Sequence, residues 1–489
     1  MVVDSPTAST QPGVIRRGLV WSTASNMVLR VSNLVVGIIM ARVIAPEAFG
    51  VFAVALTVWS ILSALAEFGL GADLVRRADF ERHVPTVATM GAVLSALLAA
   101  AMFLGSPAIA AAFGSPEATN VVQLMSVPLL LVGLSVVPAA LLQRNFRQGT
   151  VFAVDGSALV ISTGVMVVLA LLGAGAASLA FGRIAGQVAT VLMQYLAVRR
   201  WPVFGWDRTI ARETVSFGLP LALANVVSWS IITIDNLVVA RMTGVAELGL
   251  YVLAFSVASW PMSVAGQSVR VIALPAFSRI ADPARRGRAM TALSGPIWAV
   301  SAVMAIGLIF LAPQLVVTLY GERWSAAAAA VVPLAAFGAF RVMFDLMATY
   351  LIACGMTRRV LIVQVIWVVT LVPAMIIGIA QAGMAGAGWA HVTVAGAVVL
   401  PAYLLCLKGA HVPPLRFIAA WAVPTVAAIP LIGMLWLLPT LIPAAVPALL
   451  AAAAVGLLFY VLPMSRWWLS RARALANLEE TVSPTKETP

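Results

Sequence analysis

Apolar runs of about 20 residues follow one another from Val14 to Pro463, separated by short polar connections. A helix of that length crosses about 30 Å of hydrocarbon. Runs such as Val160 to Leu172 do not alternate, whereas the strands of a membrane barrel alternate apolar and polar positions. The pattern therefore predicts helical spans at 18–42, 48–70, 87–112, 119–141, 151–172, 174–197, 214–242, 248–270, 289–312, 326–353, 358–379, 384–407, 415–438 and 444–463. The expected fold class is an all-α polytopic membrane protein with about 14 transmembrane helices.

Composition points the same way. Of 489 residues, 62% are hydrophobic and only 10% charged, with a mean hydropathy of +1.03. An ordinary globular domain is about 25% charged. The net charge of +12 would suit a nucleic-acid partner, but its placement argues otherwise. Nearly all of the arginines and lysines fall in alternate connections, among them Arg76, Arg77 and Arg82; Arg199, Arg200, Arg208 and Arg212; and Arg285, Arg286 and Arg288. By the positive-inside rule those connections face the cytoplasm, and nucleic acid is not needed to explain the charge. The polar start, Met1 to Gly13, precedes a stretch without signal-peptide features, so both termini are expected in the cytoplasm and the chain in the inner membrane. Cys354 and Cys406 are read as packing residues near cytoplasmic helix ends.

Sliding the chain past itself exposes a repeat. Ala41 to Phe52 aligns without a gap on Ala240 to Tyr251, and the same register pairs Asn26 with Asn225, Ala55 with Ala254 and Ser60 with Ser259. Six predicted spans separate equivalent positions, so the copies share one membrane orientation. The expected organisation is a cytoplasmic tail (1–17), two homologous six-helix bundles (18–205 and 206–407), two C-terminal helices (408–465) and a second tail (466–489).

Charged and amide side chains inside spans nominate a site, because an ionisable group at mid-membrane costs about 2.5–3.5 kcal/mol on insertion scales and needs a cavity or partner. Ser22, Asn26, Arg30, Asn33 and Gly37 follow helical spacing along one side of the first span. Asn225, Ser228 and Asp235 occupy the equivalent helix of the second half. Arg183 and Arg270 lie within the sixth and eighth spans, and Arg341 and Asp345, four apart, suit a mutual pair. Asp155 and Glu67 are placed near the cytoplasmic interface. Enzymatic chemistry finds little footing. His83, His391 and His411 lack metal-ligand spacing, no Ser/His/Asp grouping appears, no phosphate-binding GxxxxGK[ST] loop is present, and no connection is long enough for a soluble catalytic domain. Neither a cofactor nor a metal is expected, and the protein is read as a transporter.

The segments Ala41 to Phe52, Ile234 to Leu237, Leu248 to Tyr251, Leu274 to Arg279 and Tyr320 to Trp324 resemble the polysaccharide-transport flippases of the multidrug/oligosaccharidyl-lipid/polysaccharide exporter superfamily, and within them the Wzx-type lipopolysaccharide and exopolysaccharide translocases. The resemblance implies a V-shaped pair of bundles that moves undecaprenyl-pyrophosphate-linked oligosaccharide across the cytoplasmic membrane by alternating access. It also implies glycan polymerase and export proteins as candidate partners. Guanidinium groups pair bidentately with phosphate oxygens. Arg30 and Arg270 are therefore assigned to the diphosphate, with Asn26, Asn33 and Asn225 along the glycan path and Asp235 beside them. A membrane potential would contribute about 2.3 kcal/mol per charge moved per 100 mV. Two rival readings are a cation-coupled multidrug exporter of the same superfamily, for which Asp235 is the main carboxylate, and a non-transporting scaffold for glycan-assembly enzymes.

Overall fold

The computed structural model describes residues 28–29, 31–67, 69–77, 79–266, 273, 277–278, 280 and 282–480. Among these residues every regular element is helical, and the chain divides into two compact units, Met1–Arg241 and Met242–Pro489. The first unit holds α1 (Val31–Val43), α2 (Pro46–Glu67), α3 (Leu70–Arg76), α4 (Phe80–Leu104), α5 (Ser106–Ala112), α6 (Thr119–Arg144), α7 (Gln148–Leu171), α8 (Ala176–Val198) and nearly all of α9 (Arg208–Thr243). The second holds α10 (Val245–Ala258), α11 (Pro283–Tyr320), α12 (Ala328–Ala353), α13 (Thr357–Val394), α14 (Leu400–Lys408), α15 (Pro414–Ala427), α16 (Ile429–Leu441), α17 (Ala445–Gly456) and α18 (Leu462–Glu480).

By length and apolarity, nine of the helices among the described residues can cross a membrane, or ten when the bent pair α15 and α16 counts as one span. This measure does not reach fourteen. It takes 357–408 as a single helix, although the backbone leaves helical geometry at Ala382 and Gly383 and the two arms touch at Gly378 and Gly386. It also sets aside α1 and α10 as short. The protein is an all-α polytopic membrane protein.

Burial identifies the solvent of each helix. The span containing α12 is 72% buried and forms the centre of the second unit, whereas α7 is only 17% buried and turns Val160, Val168 and Leu171 outward. In water such apolar faces would be aggregation sites; in a bilayer they are the lipid surface. The final helices are anchored on α11, where the indole of Trp298 stacks on Trp421 at 4.6 Å and donates to Thr425 Oγ1 at 3.0 Å. Tyr460 adds a hydrogen bond to the Ala299 carbonyl at 3.1 Å.

The repeat has a local structural counterpart. α2 begins at Pro46 and α10 at Val245, 199 positions apart, and each follows a helix that breaks just before it. A proline at the first helical position suits the α2 start, because its missing N–H would have had no partner there. The start of α9 is built differently. Asp207 accepts from the N–H groups of Thr209 at 2.8 Å and Ile210 at 3.3 Å, and those bonds, with that from Ile210 foremost, hold its carboxyl below the usual range.

In the first unit α4 packs on α6 where Gly91 faces Gly133, and a Cβ added at Gly133 would run into the Gly91 carbonyl. Backbone cannot rotate away as a side chain can. Gly133→Ala is therefore expected to cost about 1–3 kcal/mol through separation of α4 and α6. Thermal unfolding of the purified variant in detergent would register this as a lowered midpoint, and an unchanged midpoint would show that the contact is slack.

Candidate functional site

Three helices of the first unit line an open cavity of about 370 Å³ with both polar and apolar walls. α1 and the residues just before it contribute Leu29, Asn33 and Val36; α7 contributes Asp155, Ser162, Thr163 and Met166; α8 contributes Arg183, Gly186, Gln187 and Thr190. Each set recurs at three- and four-residue intervals, so one face of each helix supplies it. Small residues let the walls close. Gly182 lies against Met166 and Gly186 against Ser162, which leaves the longer polar side chains of α8 to reach the cavity.

Arg183 is the charge that most needs an explanation. Its guanidinium carbon lies 4.1 Å above the centroid of the Trp59 ring on α2, its Nε is buried without a hydrogen bond, and among the described residues it has no ion pair. Thr163 Oγ1 is likewise buried and unsatisfied. Asp155 lines the same cavity without forming an ion pair to Arg183 among the described residues. Gln187 reaches Ser135 Oγ at 3.4 Å, and Asn33 Nδ2 donates to its own helix at Leu29 O, 2.8 Å away. A cavity with one unpaired guanidinium, a carboxylate and several amide and hydroxyl groups can hold a polar, anion-bearing molecule.

Of the residues assigned from sequence to substrate, Asn33 lines this cavity, and so do Arg183 and Asp155, the two charges noted within or near the spans. Asn225, on α9, is half-buried and not among the lining residues. Asp235 is buried on the same helix and accepts the Asn236 N–H at 2.9 Å, while Asn236 Nδ2 donates to Thr57 Oγ1 on α2 at 2.9 Å. Asn26, Arg30 and Arg270 lie outside the described residues. Trp59 was not nominated, although its spacing on an apolar helix could not have revealed its arginine partner.

The structure holds two other polar groupings. A second cavity of about 530 Å³ is lined by Asp79, Glu81, Arg82, Arg144 and Arg200, but its charges are largely satisfied within the chain, as in the 2.6 Å pair of Arg200 with Glu81. It reads as a structural cluster. In the second unit Tyr251 meets His391 Nε2 at 3.1 Å beneath Phe337, and Arg341 lies over the Phe255 and Phe337 rings. The sequence shows His391 only as a histidine without metal-ligand spacing; Ala387 and Ala395, four residues to either side, carry no chemical signal. Among the described residues no group of three His, Cys, Asp or Glu side chains could hold a metal ion.

The fold is that of a solved structure titled "Lipid II flippase MurJ, inward closed conformation", with a TM-score of 0.70 over 90% of this chain and 99% of that one, at 14% identity. The succinoglycan biosynthesis transport protein ExoT of Rhizobium meliloti (strain 1021) is 29% identical over 329 residues, 66% of this chain. The chain spans 65% of the length of that relative. The lipopolysaccharide biosynthesis protein WzxC of Escherichia coli (strain K12) is 22% identical over 373 residues, 76% of each chain. The profile of the family described as "Polysaccharide biosynthesis protein" matches residues 39–329, more than half of the chain, and the protein belongs to that family.

Proposed function

We propose that this protein is a flippase that carries polyprenyl-diphosphate-linked oligosaccharide across the cytoplasmic membrane by alternating access, for lipopolysaccharide or exopolysaccharide assembly. The observation that carries this reading is the cavity of α1, α7 and α8, where Arg183 stands inside apolar spans without a counter-ion among the described residues. Such a charge is expensive in lipid and is retained where it faces a cavity or a ligand. Family membership, the transport and biosynthesis names of the relatives, and the flippase title of the structural neighbour support the same direction.

In this proposal Arg30 and Arg270 hold the diphosphate, while Asn26, Asn33, Asn225 and Asp235 lie along the glycan path. The two six-helix bundles at 18–205 and 206–407, the pair of helices at 408–465 and cytoplasmic termini complete it, with glycan polymerase and export proteins as partners. The test is deletion of the gene followed by mass spectrometry of polyprenyl-linked glycans. Accumulation of a diphosphate-linked oligosaccharide, reversed by the wild-type gene and not by Arg30→Ala with Arg270→Ala, is the expected result. An unchanged lipid pool would overturn the flippase reading, and export of a cationic dye by the purified protein would favour a drug exporter.

A further inference from the structure

The connection between α8 and α9, residues 199–207, is neither a span nor a free loop. Its backbone is pinned to the first turns of α4: Gly205 N donates to Thr89 Oγ1 at 3.0 Å, Thr89 Oγ1 donates to Gly205 O at 2.9 Å, and Asp207 N donates to Thr86 Oγ1 at 3.1 Å. A Cβ at Gly205 would stand 2.9 Å from Pro85 Cβ, so the strap lies flat against α4. Yet this fixed backbone turns Trp201, Phe204 and Trp206 outward, 87%, 56% and 66% exposed. Three such side chains held in water would forgo the gain that burial of a large apolar side chain brings.

Depth decides what covers them. Along α4 the charged residues end at Arg82, and from Val84 to Leu104 none occurs. Thr89 lies five residues into that uncharged stretch, about 8 Å at 1.5 Å per residue. The strap therefore sits at the depth of the boundary between headgroups and hydrocarbon, the level where tryptophan is enriched. A soluble partner has no access there.

Charge specifies the lipid. Arg199, Arg208 and Arg212 are exposed and form no ion pair among the described residues, unlike Arg200 and Arg82, which engage Glu81 and Asp207. Arg208 and Arg212 also stand in the opening turns of α9, where Asp207 already accepts from the first N–H groups and is engaged by Arg82, so neither arginine has a carboxylate of its own among the described residues. We infer that residues 199–212 form an interfacial strap that binds anionic phospholipid headgroups, with Trp201, Phe204 and Trp206 seated among them. The assignment is independent of the transported substrate. The strap leads directly into α9, which carries Asn225 and Asp235.

The test uses the full chain in nanodiscs, with Cys354→Ser and Cys406→Ser, and a bimane label at Phe204→Cys. Quenching by lipid bearing a nitroxide near the headgroup should exceed quenching by aqueous iodide; the reverse order would overturn the interfacial placement. In native mass spectrometry of the wild type, phosphatidylglycerol should be retained over phosphatidylcholine. Arg208→Gln and Arg212→Gln should each lower that retention about fivefold, the effect of roughly 1 kcal/mol per basic residue at an anionic surface. Equal retention of the two lipids by the wild type, a comparison that needs no variant to fold, would overturn the anionic preference. Gly205→Val, which lifts the strap from Pro85, should shift the label toward iodide.

Discussion

Arg183→Met is expected to lower transport of the lipid-linked glycan about tenfold to a hundredfold, while the protein unfolds at the same or a higher temperature than wild type. The two halves of this expectation follow from one geometry. Stacking on Trp59 is worth about 0.5–2 kcal/mol to the folded protein. Burial of a guanidinium at membrane depth costs about 2.5–3.5 kcal/mol, and among the described residues no carboxylate repays it. Removing the charge therefore relieves a net penalty of about 0.5–3 kcal/mol in the empty protein. Function is where the charge is repaid: hydrogen bonds to charged groups contribute about 1.5–3 kcal/mol, which sets the size of the transport loss. Thermal unfolding in detergent and transport by proteoliposomes would be measured on the same preparation. An arginine that merely props the fold would give the opposite result, a lowered midpoint with transport per folded molecule unchanged.

The same residue shows how far sequence reading reaches. Arg183 was noticed as a charge within the sixth span, and Asn33 as part of a polar stripe on the first, because helical periodicity and hydropathy are local properties. That α1, α7 and α8 bring those two together with Asp155 is a tertiary fact, and Asp155 had been placed near the interface from its position in the span alone. The hairpin at Ala382 and Gly383 is legible from glycine and the length limit of a span, and the aligned segments Ala41 to Phe52 and Ala240 to Tyr251 cover the breaks ahead of α2 and α10, whose starts lie two and three residues before the spans expected at 48 and 248. The strap was not legible. Its arginines registered as markers of orientation, and nothing in the order Trp201, Phe204, Trp206 distinguishes a chain pinned to Thr86 and Thr89 from an ordinary loop. Arg76 and Arg77 likewise read as orientation charges, although Asp73, three and four residues earlier, is a visible partner at helical spacing.

That carboxylate supports the second large expectation. Asp73, in the first turn of α3, is 1% exposed and accepts from Arg76 Nη2 at 2.6 Å, Arg77 Nε at 3.3 Å and Thr214 Oγ1 at 3.1 Å. Arg77 continues to Glu213 Oε2 at 2.8 Å, its carbonyl accepts from Arg144 Nη1, and Arg76 lies 4.0 Å above the Phe217 ring. Both sides of the junction between α3 and α9 thus converge on one buried group. Arg76 is 49% exposed and its pair is discounted for solvent, but Arg77 is 19% exposed and Thr214 is buried. Breaking a buried pair by removing one partner costs about 3–5 kcal/mol, and with that discount Asp73→Ala should destabilise the first unit by about 3 kcal/mol. Asp73→Asn keeps an acceptor for Thr214 and should cost less. A cycle of Asp73→Ala with Thr214→Val separates the two contributions, since Thr214→Val adds little once Asp73 is gone. The start of α9 would then lose its main tie to α3, while the Asn236 contact to Thr57 near its other end remains, so exchange of backbone amides should rise in residues 208–217 before it rises around 236. Uniform exchange along α9 would mean that the helix is held by its apolar face and that Asp73 serves only its own arginines.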